Sequence, residues 1–164
     1  MGNISKDSAK IESIIFPPSD LKIIRENNIP KVFDILRKKY VCLTEEEFVR
    51  QSCVNWMKKE LAYPASLMAN EIGIKLNDTI KRCDTVVFDP SGRPQMILEY
   101  KAPSVNITQK VFDQIVRYNM ALKARFLVVT NGLRLYCCKI NPDNLSYIFL
   151  SSIPCYQDFQ SETL

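Results

Sequence analysis

The pattern of apolar and polar positions predicts two amphipathic helices. Residues 45–61 carry apolar side chains at helical spacing. This stripe consists of Val49, Cys53, Trp56, Met57 and Leu61. Thr44 precedes the segment and Glu47 follows Thr44 by three positions, so we expect a capping box at its start. A second stripe predicts a helix over residues 106–123, with Asn106 as its cap.

The remaining apolar segments have the pattern of strands. They are predicted at residues 66–76, 82–89, 95–101, 126–130, 133–140 and 145–150. The Asn131-Gly132 pair predicts a type I′ turn between two of them. Two shorter segments, 21–25 and 31–36, flank Asn27-Asn28 and indicate a hairpin or a short extension.

The order of these elements predicts a mixed α/β fold with a mixed central sheet: a helix, three antiparallel strands, a second helix and further strands. We expect this domain to cover residues 44–150. A lead-in and hairpin extension, residues 1–43, would pack on the domain, with residues 1–20 irregular. Residues 151–164 are expected to form a C-terminal tail.

Composition then removes several classes of chemistry. The chain has 164 residues and no histidine, which excludes Ser-His-Asp and Cys-His catalysis, Cys2His2 zinc sites and histidine-based nucleases. None of its four glycines is followed by lysine, and their spacing is not G-x-G-x-x-G. A Walker A loop and a dinucleotide-binding turn are therefore excluded, and no nucleotide cofactor is expected.

The cysteines and the charge restrict the cellular setting. Six cysteines without C-x-x-C spacing favour reduced, buried thiols, and no apolar run approaches the roughly 18 residues of a membrane span. We therefore expect a cytoplasmic protein with no membrane partner. The net charge of +4 permits nucleic-acid binding without arguing for it. The Arg37-Lys38-Lys39 run is either a solvated basic turn or a phosphate contact.

Two of the predicted strands carry charges where burial normally forbids them. Glu99 and Lys101 are two positions apart on one strand and so share a face. The loop before this strand connects it to the strand at residues 82–89. If that loop is symmetric about Ser91-Gly92, the numbers of two residues that face each other across the hairpin sum to 183. Asp84 then lies opposite Glu99, with Cβ atoms about 5 Å apart. A one-residue slip would turn Asp84 to the other face.

Two carboxylates at that separation repel unless a proton or a cation lies between them. Oxygen ligands favour Mg²⁺ or Mn²⁺ over zinc, and a neighbouring lysine can position a water or stabilise a phosphate. The combination is suited to phosphodiester hydrolysis. The alternative is a buried salt-bridge network of Asp84, Glu99 and Lys101 with no catalytic role.

The same residues resemble a known family. Asp84 followed by Glu99-Tyr100-Lys101 is similar to the signature of PD-(D/E)xK nucleases, with Cys83 in place of the proline. More narrowly, the sequence resembles the N-terminal nuclease domain of type I restriction enzyme R subunits, especially short bacterial proteins made of that domain alone. The segments that carry this resemblance, within 44–140, are residues 82–89, 99–103, 112–119 and 130–132.

The resemblance implies roles for particular residues. Asp84, Glu99 and the Tyr100 carbonyl would ligate Mg²⁺, and Lys101 would orient or deprotonate the attacking water. Gln114 and Tyr118 match a Q-x-x-x-Y motif that points at the site or the DNA backbone, the alternative being a packed Tyr118 and a solvated Gln114. The remaining candidates are Glu46 and Glu71 as supporting carboxylates and Arg82 as a DNA contact. Glu71 could equally be an exposed strand carboxylate.

The first functional hypothesis is therefore a Mg²⁺-dependent DNA endonuclease domain. Because the chain has no Walker A motif, we expect that it cannot translocate DNA by itself and would need protein partners of a restriction or defence complex. The alternative is a non-catalytic DNA-binding or complex-assembly module that keeps the nuclease fold.

Overall fold

The computed structural model describes residues 14–141, 143–144 and 146–163. The irregular lead-in predicted for residues 1–20 therefore falls mostly outside the described residues. Within these ranges the strands are β1 Ile23–Glu26, β2 Ile29–Asp34, β3 Lys39–Cys42, β4 Met68–Leu76, β5 Thr79–Phe88, β6 Pro94–Tyr100, β7 Phe126–Thr130, β8 Leu135–Ile140 and β9 Tyr147–Leu150. The α-helices are α1 Glu45–Lys59, α2 Gln109–Leu122 and α3 Tyr156–Thr163, and Ala65–Leu67 form a 3-10 turn.

The central element is a six-stranded mixed sheet. Its strand order is β4-β5-β6-β7-β8-β9, with β6 and β7 parallel and the other neighbours antiparallel. Helix α2 makes the crossover between the two parallel strands, as such connections require. The mixed α/β class predicted from the sequence is confirmed. A separate antiparallel sheet, β1-β2-β3, precedes it.

Helices cover both faces of the central sheet. Val49, Cys53 and Met57 of α1 pack in one apolar cluster with Leu98 and Tyr100 of β6. On the other face, α2 contributes Val111, Ile115 and Tyr118 to a cluster that includes Val86 and Ile97. Because strand side chains alternate, Glu99 lies on the α2 side of β6 and Tyr100 on the α1 side.

The predicted register between β5 and β6 is confirmed. Thr85 is opposite Leu98 and Val86 is opposite Ile97, so the residue numbers sum to 183. The register shifts by one only beyond Val87, next to the loop. There the Asp89 carboxylate accepts hydrogen bonds from Ser91 and Arg93 backbone N–H groups, which fixes the turn.

Three local expectations are wrong. Helix α2 begins at Gln109 with Thr108 in the capping position, so Asn106 lies outside the helix. The loop after β7 has four residues rather than a two-residue type I′ turn, because Thr130 pairs with Leu135. Residues 66–67 belong to the 3-10 turn, so β4 starts at Met68.

The terminal regions contain more structure than their sequence indicated. Asn27 and Asn28 both have positive φ, and β1 pairs with β2 on either side of them, which makes the predicted hairpin. Within the predicted tail, α3 buries Phe159 in the cluster beneath α1. The division of the chain into domains stays a prediction. No helix in the described part of the chain is long and apolar enough to cross a membrane.

Candidate active site

Asp84 lies in β5 at an interruption of the sheet. In the β4–β5 ladder, Asn70 pairs with Thr85 and Ile72 pairs with Cys83. The residues between them, Glu71 and Asp84, do not form a ladder pair. Glu71 has a φ of +58°, in the left-handed region. A non-glycine residue in that conformation is strained, and such strain is concentrated at functional sites.

Both carboxylate oxygens of Asp84 have partners. Oδ2 accepts a hydrogen bond from the Tyr100 backbone N–H at 2.8 Å, and Oδ1 accepts one from Nη2 of Arg50 at 3.0 Å. Burial raises the pKa of Asp84 and outweighs the lowering by the Arg50 charge and the Tyr100 N–H. The carboxylate is thus held on one side by the backbone of β6 and on the other by α1.

Glu99 is the most deeply buried carboxylate of the cluster, with 3% of its surface exposed. Its Oε1 accepts hydrogen bonds from Nε2 of Gln114 at 2.7 Å and Nζ of Lys101 at 3.1 Å. Its Oε2 is buried without a hydrogen-bond partner. Burial, reinforced by the charge of Asp84, raises the pKa of Glu99 to about 7.

Lys101 and Glu46 adjoin these two carboxylates. Burial raises the pKa of Glu46, and the charge of Asp84 raises it further while Lys101 opposes the rise. Burial lowers the pKa of Lys101, but attraction to Glu99, Glu46 and Asp84 together outweighs burial, so the pKa lies above its usual value. Lys101 is therefore protonated at neutral pH and acts as a donor.

Helix α2 places its Q-x-x-x-Y pair against Glu99. Gln114 donates through Nε2 to Glu99 and also to the hydroxyl of Tyr118, at 3.0 Å. Tyr118 is 9% exposed and packs in the α2 cluster. Gln114 is directed at the carboxylate rather than at solvent, while Tyr118 both packs against the sheet and supports Gln114.

The sequence interpretation missed Arg50, which is buried at the centre of the cluster with 3% exposure. Its guanidinium forms ion pairs with Glu71 at 2.7 Å, and with Glu47 and Asp84 at 3.0 Å each. It also lies 5.8 Å from the centroid of the Tyr100 ring. The available signal was an arginine directly beside Val49 on the predicted apolar stripe.

Glu47 corrects the predicted capping box. Its backbone N–H donates to Oγ1 of Thr44 at 3.0 Å, as a cap requires. Its carboxylate accepts instead from Arg37, Arg50 and the side chain of Gln51. The reciprocal half of the box is absent because two arginines offer the carboxylate stronger, charge-assisted hydrogen bonds.

Glu71 and Arg82 lie at the edge of the cluster. Glu71 joins Arg50 to Arg82, whose Nη1 is 3.5 Å from Oε2 of Glu71. The Arg82 side chain is 75% exposed, so it faces solvent beside the site. Glu71 is an ion-paired carboxylate rather than a freely solvated one.

The residues fit a hard divalent cation such as Mg²⁺. The observation behind this statement is the buried Oε2 of Glu99, an acceptor without a donor next to a second carboxylate, Asp84. Among the described residues, no three cysteine or acidic side chains are grouped closely enough to hold a metal by themselves. Mg²⁺ does not need three, because it retains several waters and binds through one or two carboxylates plus phosphate oxygens.

The raised pKa of Glu99 makes the metal-free protein less stable as the pH rises. The folded state keeps this proton up to about pH 7, whereas the unfolded chain releases it near 4.5, so folding binds a proton between these values. We expect the free energy of unfolding in EDTA to fall across this window, with Glu99 contributing on the order of 3 kcal/mol. Urea unfolding measured at several pH values checks this.

The matched variants for this measurement are Glu99→Gln and Glu60→Gln, since Glu60 is an exposed carboxylate at the end of α1. Glu99→Gln should flatten the pH dependence, and Glu60→Gln should leave it as in the wild type. An unchanged slope in Glu99→Gln would show that Glu99 ionises normally in the folded protein.

The fold and the family match define a class of protein: a restriction-endonuclease-like domain. The model of the family described as type I restriction enzyme R protein N terminus (HSDR_N) matches residues 45–154, and the chain belongs to that family. The resemblance drawn from the sequence is confirmed. Membership of this family identifies residues 45–154 as a nuclease-like domain.

Other comparisons add less. The crystal structure of a protein from Anabaena variabilis, proposed there to be a nuclease of DUF820, is similar with 14% sequence identity and a TM-score of 0.47. The similarity covers 85% of this chain and 88% of that chain. No curated protein matches the sequence.

Proposed function

We propose that this chain is a Mg²⁺-dependent DNA endonuclease domain that hydrolyses phosphodiester bonds. The observation that carries the proposal is the unpartnered Oε2 of Glu99, buried beside Lys101 in the electrostatic field of Asp84. A purely structural salt-bridge network satisfies its buried acceptors, whereas a metal site leaves ligand atoms open in the absence of the ion. Membership of the restriction enzyme family supports DNA as the substrate.

Asp84, Glu99 and the Tyr100 carbonyl would hold the ion, either Mg²⁺ or Mn²⁺. When bound, it would polarise a phosphoryl oxygen and make water a better nucleophile. Asp84 is held for this role by the Tyr100 N–H and by Arg50. Gln114 fixes one oxygen of Glu99 and leaves the other free.

Lys101 supplies the positive charge on the solvent side of Glu99. As a protonated donor it would orient the attacking water and stabilise the anionic phosphate. Glu46 and Glu71 support the site electrostatically, and Arg82, Gln114 and Tyr118 would contact the DNA backbone. The expected products carry a 5′-phosphate and a 3′-hydroxyl.

The setting of the enzyme is part of the same proposal. The family supports a partner complex of the restriction or defence type, in which another protein would move the DNA, and a cytoplasmic location. No nucleotide cofactor is assigned to this chain.

The test is cleavage of supercoiled and branched DNA by the wild-type protein in Mg²⁺, in Mn²⁺ and in EDTA. We expect nicked or linear product with either metal and none in EDTA, and no product from Asp84→Asn purified in the same way. Equal cleavage by wild type and Asp84→Asn would identify a contaminating nuclease and contradict the proposal.

A second candidate is a DNA-binding or assembly module that does not cut. The observation that favours it is the pairing of both Asp84 oxygens with protein donors. This candidate predicts no saturable Mn²⁺ binding, and DNA binding that is unchanged in Asp84→Asn. The nuclease proposal instead predicts saturable Mn²⁺ binding.

A further inference from the structure

The net positive charge of the chain is concentrated in the N-terminal sheet. Residues 21–43 contain six lysines and arginines against two acidic residues, a surplus that equals the +4 of the whole chain. The six basic residues are Lys22, Arg25, Lys31, Arg37, Lys38 and Lys39. The family match begins at residue 45, so this sheet lies outside it. The rest of the chain is electrically balanced, so a polyanion would be attracted mainly to this region.

One face of this sheet combines Lys22 and Lys31, of which Lys31 is ion-paired with Glu26, with exposed aromatic and apolar surface. Phe33 lies opposite Tyr40, and Lys31 lies opposite both Ile24 and Cys42, so these side chains share a face that we call the outer face. Tyr40 is 41% exposed and Ile24 is 40% exposed. The face opposite carries Val32 and Asp34, which are fully buried.

The aromatic pair is arranged as a platform with a cation beside it. The Phe33 and Tyr40 ring centroids are 5.3 Å apart in an edge-to-face arrangement, and Nζ of Lys22 is 5.8 Å from the Phe33 centroid. Lys38 is exposed at the turn between β2 and β3, and the exposed Lys39 is the first residue of β3, opposite Asp34 at the end of the sheet next to this turn. Aromatic rings between lysines suit single-stranded nucleic acid, since unpaired bases stack on the rings while lysines contact the phosphates.

Hydrogen bonds and ion pairs connect the platform to the candidate active site. Asp34 accepts hydrogen bonds from the Arg37 backbone N–H and from Nδ2 of Asn70, which fixes the turn and attaches β2 to β4. Arg37 donates to Glu47 at 3.0 Å, and Glu47 pairs with Arg50, the partner of Asp84. Two residues, Glu47 and Arg50, thus connect Arg37 of the basic turn to Asp84 through ion pairs.

We propose that the outer face of the N-terminal sheet, with the Lys38-Lys39 turn, binds single-stranded DNA. Duplex DNA offers phosphates to the lysines but no unstacked base to Tyr40, so the exposed rings favour the single strand. The inference takes DNA as the ligand from the proposed function, and it adds where a single-stranded segment would be held relative to the cluster around Asp84.

The test is fluorescence anisotropy of labelled oligothymidine and of a duplex of equal length, in EDTA so that no cleavage occurs. Tyr40→Ala should weaken oligothymidine binding at least about fivefold at every salt concentration, because stacking is not an ionic interaction. Lys38→Ala/Lys39→Ala should weaken binding and reduce the slope of log affinity against log salt by about 1.

Matched controls are available on the same chain. Lys58→Ala/Lys123→Ala removes two exposed lysines from the ends of α1 and α2, and Tyr147→Ala removes an exposed tyrosine from β9. These variants should bind as the wild type does. The proposal is overturned if the platform variants bind normally, if the controls lose as much affinity, or if the duplex binds as well as the single strand with no effect of Tyr40→Ala.

The outcome is separable from that of the proposed nuclease. Platform-dependent binding without metal-dependent cleavage supports the platform and contradicts the nuclease. Metal-dependent cleavage with binding that is indifferent to Tyr40, Lys38 and Lys39 supports the nuclease and contradicts the platform.

Discussion

Replacing Lys101 with methionine is expected to lower the rate of Mg²⁺-dependent DNA cleavage at least about 100-fold, the low end of the effect of removing one preorganised donor that stabilises transition-state charge. Lys101 is the cation that contacts Glu99, with its Nζ 3.1 Å from Oε1. Methionine keeps the length of the side chain and removes its charge and its three donors. The measurement is the single-turnover rate on plasmid DNA at saturating protein.

This prediction separates catalysis from metal binding. Because Lys101 is charged and cannot ligate a cation, Lys101→Met should bind Mn²⁺ at least as tightly as the wild type. Lys101→Arg keeps the charge and should retain part of the rate. A Lys101→Met variant that cuts at the wild-type rate, or that loses Mn²⁺ binding along with cleavage, would contradict the role assigned to Lys101.

Replacing Arg50 with methionine is expected to lower the free energy of unfolding in EDTA by about 3–5 kcal/mol. Arg50 is the buried cation that faces Glu47, Glu71 and Asp84, and its removal leaves three carboxylates without their shared partner. Loss of one member of a buried ionic group is costly because the remaining charges stay desolvated. Urea unfolding followed by circular dichroism gives the value.

Arg82→Met is the matched control, since Arg82 is 75% exposed and contacts only Glu71 among these carboxylates, at 3.5 Å. It should cost less than about 1 kcal/mol. If Arg50→Met does not fold, Arg50→Lys tests the same point, because lysine keeps one charge but loses the planar fork and should be destabilised to a smaller extent. Wild-type stability of either Arg50 variant would contradict the role given to this residue.

The sequence alone predicted those parts of the site that depend on local geometry. Glu99 and Lys101 share a strand, and a short loop fixes the register between β5 and β6. The structure confirms that register as far as Thr85 and Leu98, the residues next to Asp84 and Glu99. The i, i+4 spacing on α2 likewise brought Gln114 and Tyr118 together. In each case the relevant distance along the chain is short or is set by a single hairpin.

The missed features depend on contacts between distant segments. Arg50 and Asp84 are 34 residues apart, and no periodicity connects a helix residue to the strand it will face. The T-x-x-E motif predicted that the Glu47 carboxylate would cap α1. In the folded chain this carboxylate accepts hydrogen bonds from Arg37 and Arg50 instead. The loop after β7 contains the Asn-Gly pair but is longer than two residues, because Oδ1 of Asn131 accepts hydrogen bonds from the Leu133 and Arg134 backbone N–H groups.

The central claim is that Asp84 and Glu99 form a site for one divalent cation, and a Mn²⁺ titration followed by electron paramagnetic resonance tests it most directly. The wild-type protein should bind Mn²⁺ saturably, and Asp84→Asn and Glu99→Gln should each weaken binding at least about tenfold. Asp113→Asn, which changes an exposed carboxylate on α2, should bind as the wild type does. No saturable binding by the wild type, or equal binding by all four proteins, would contradict the claim.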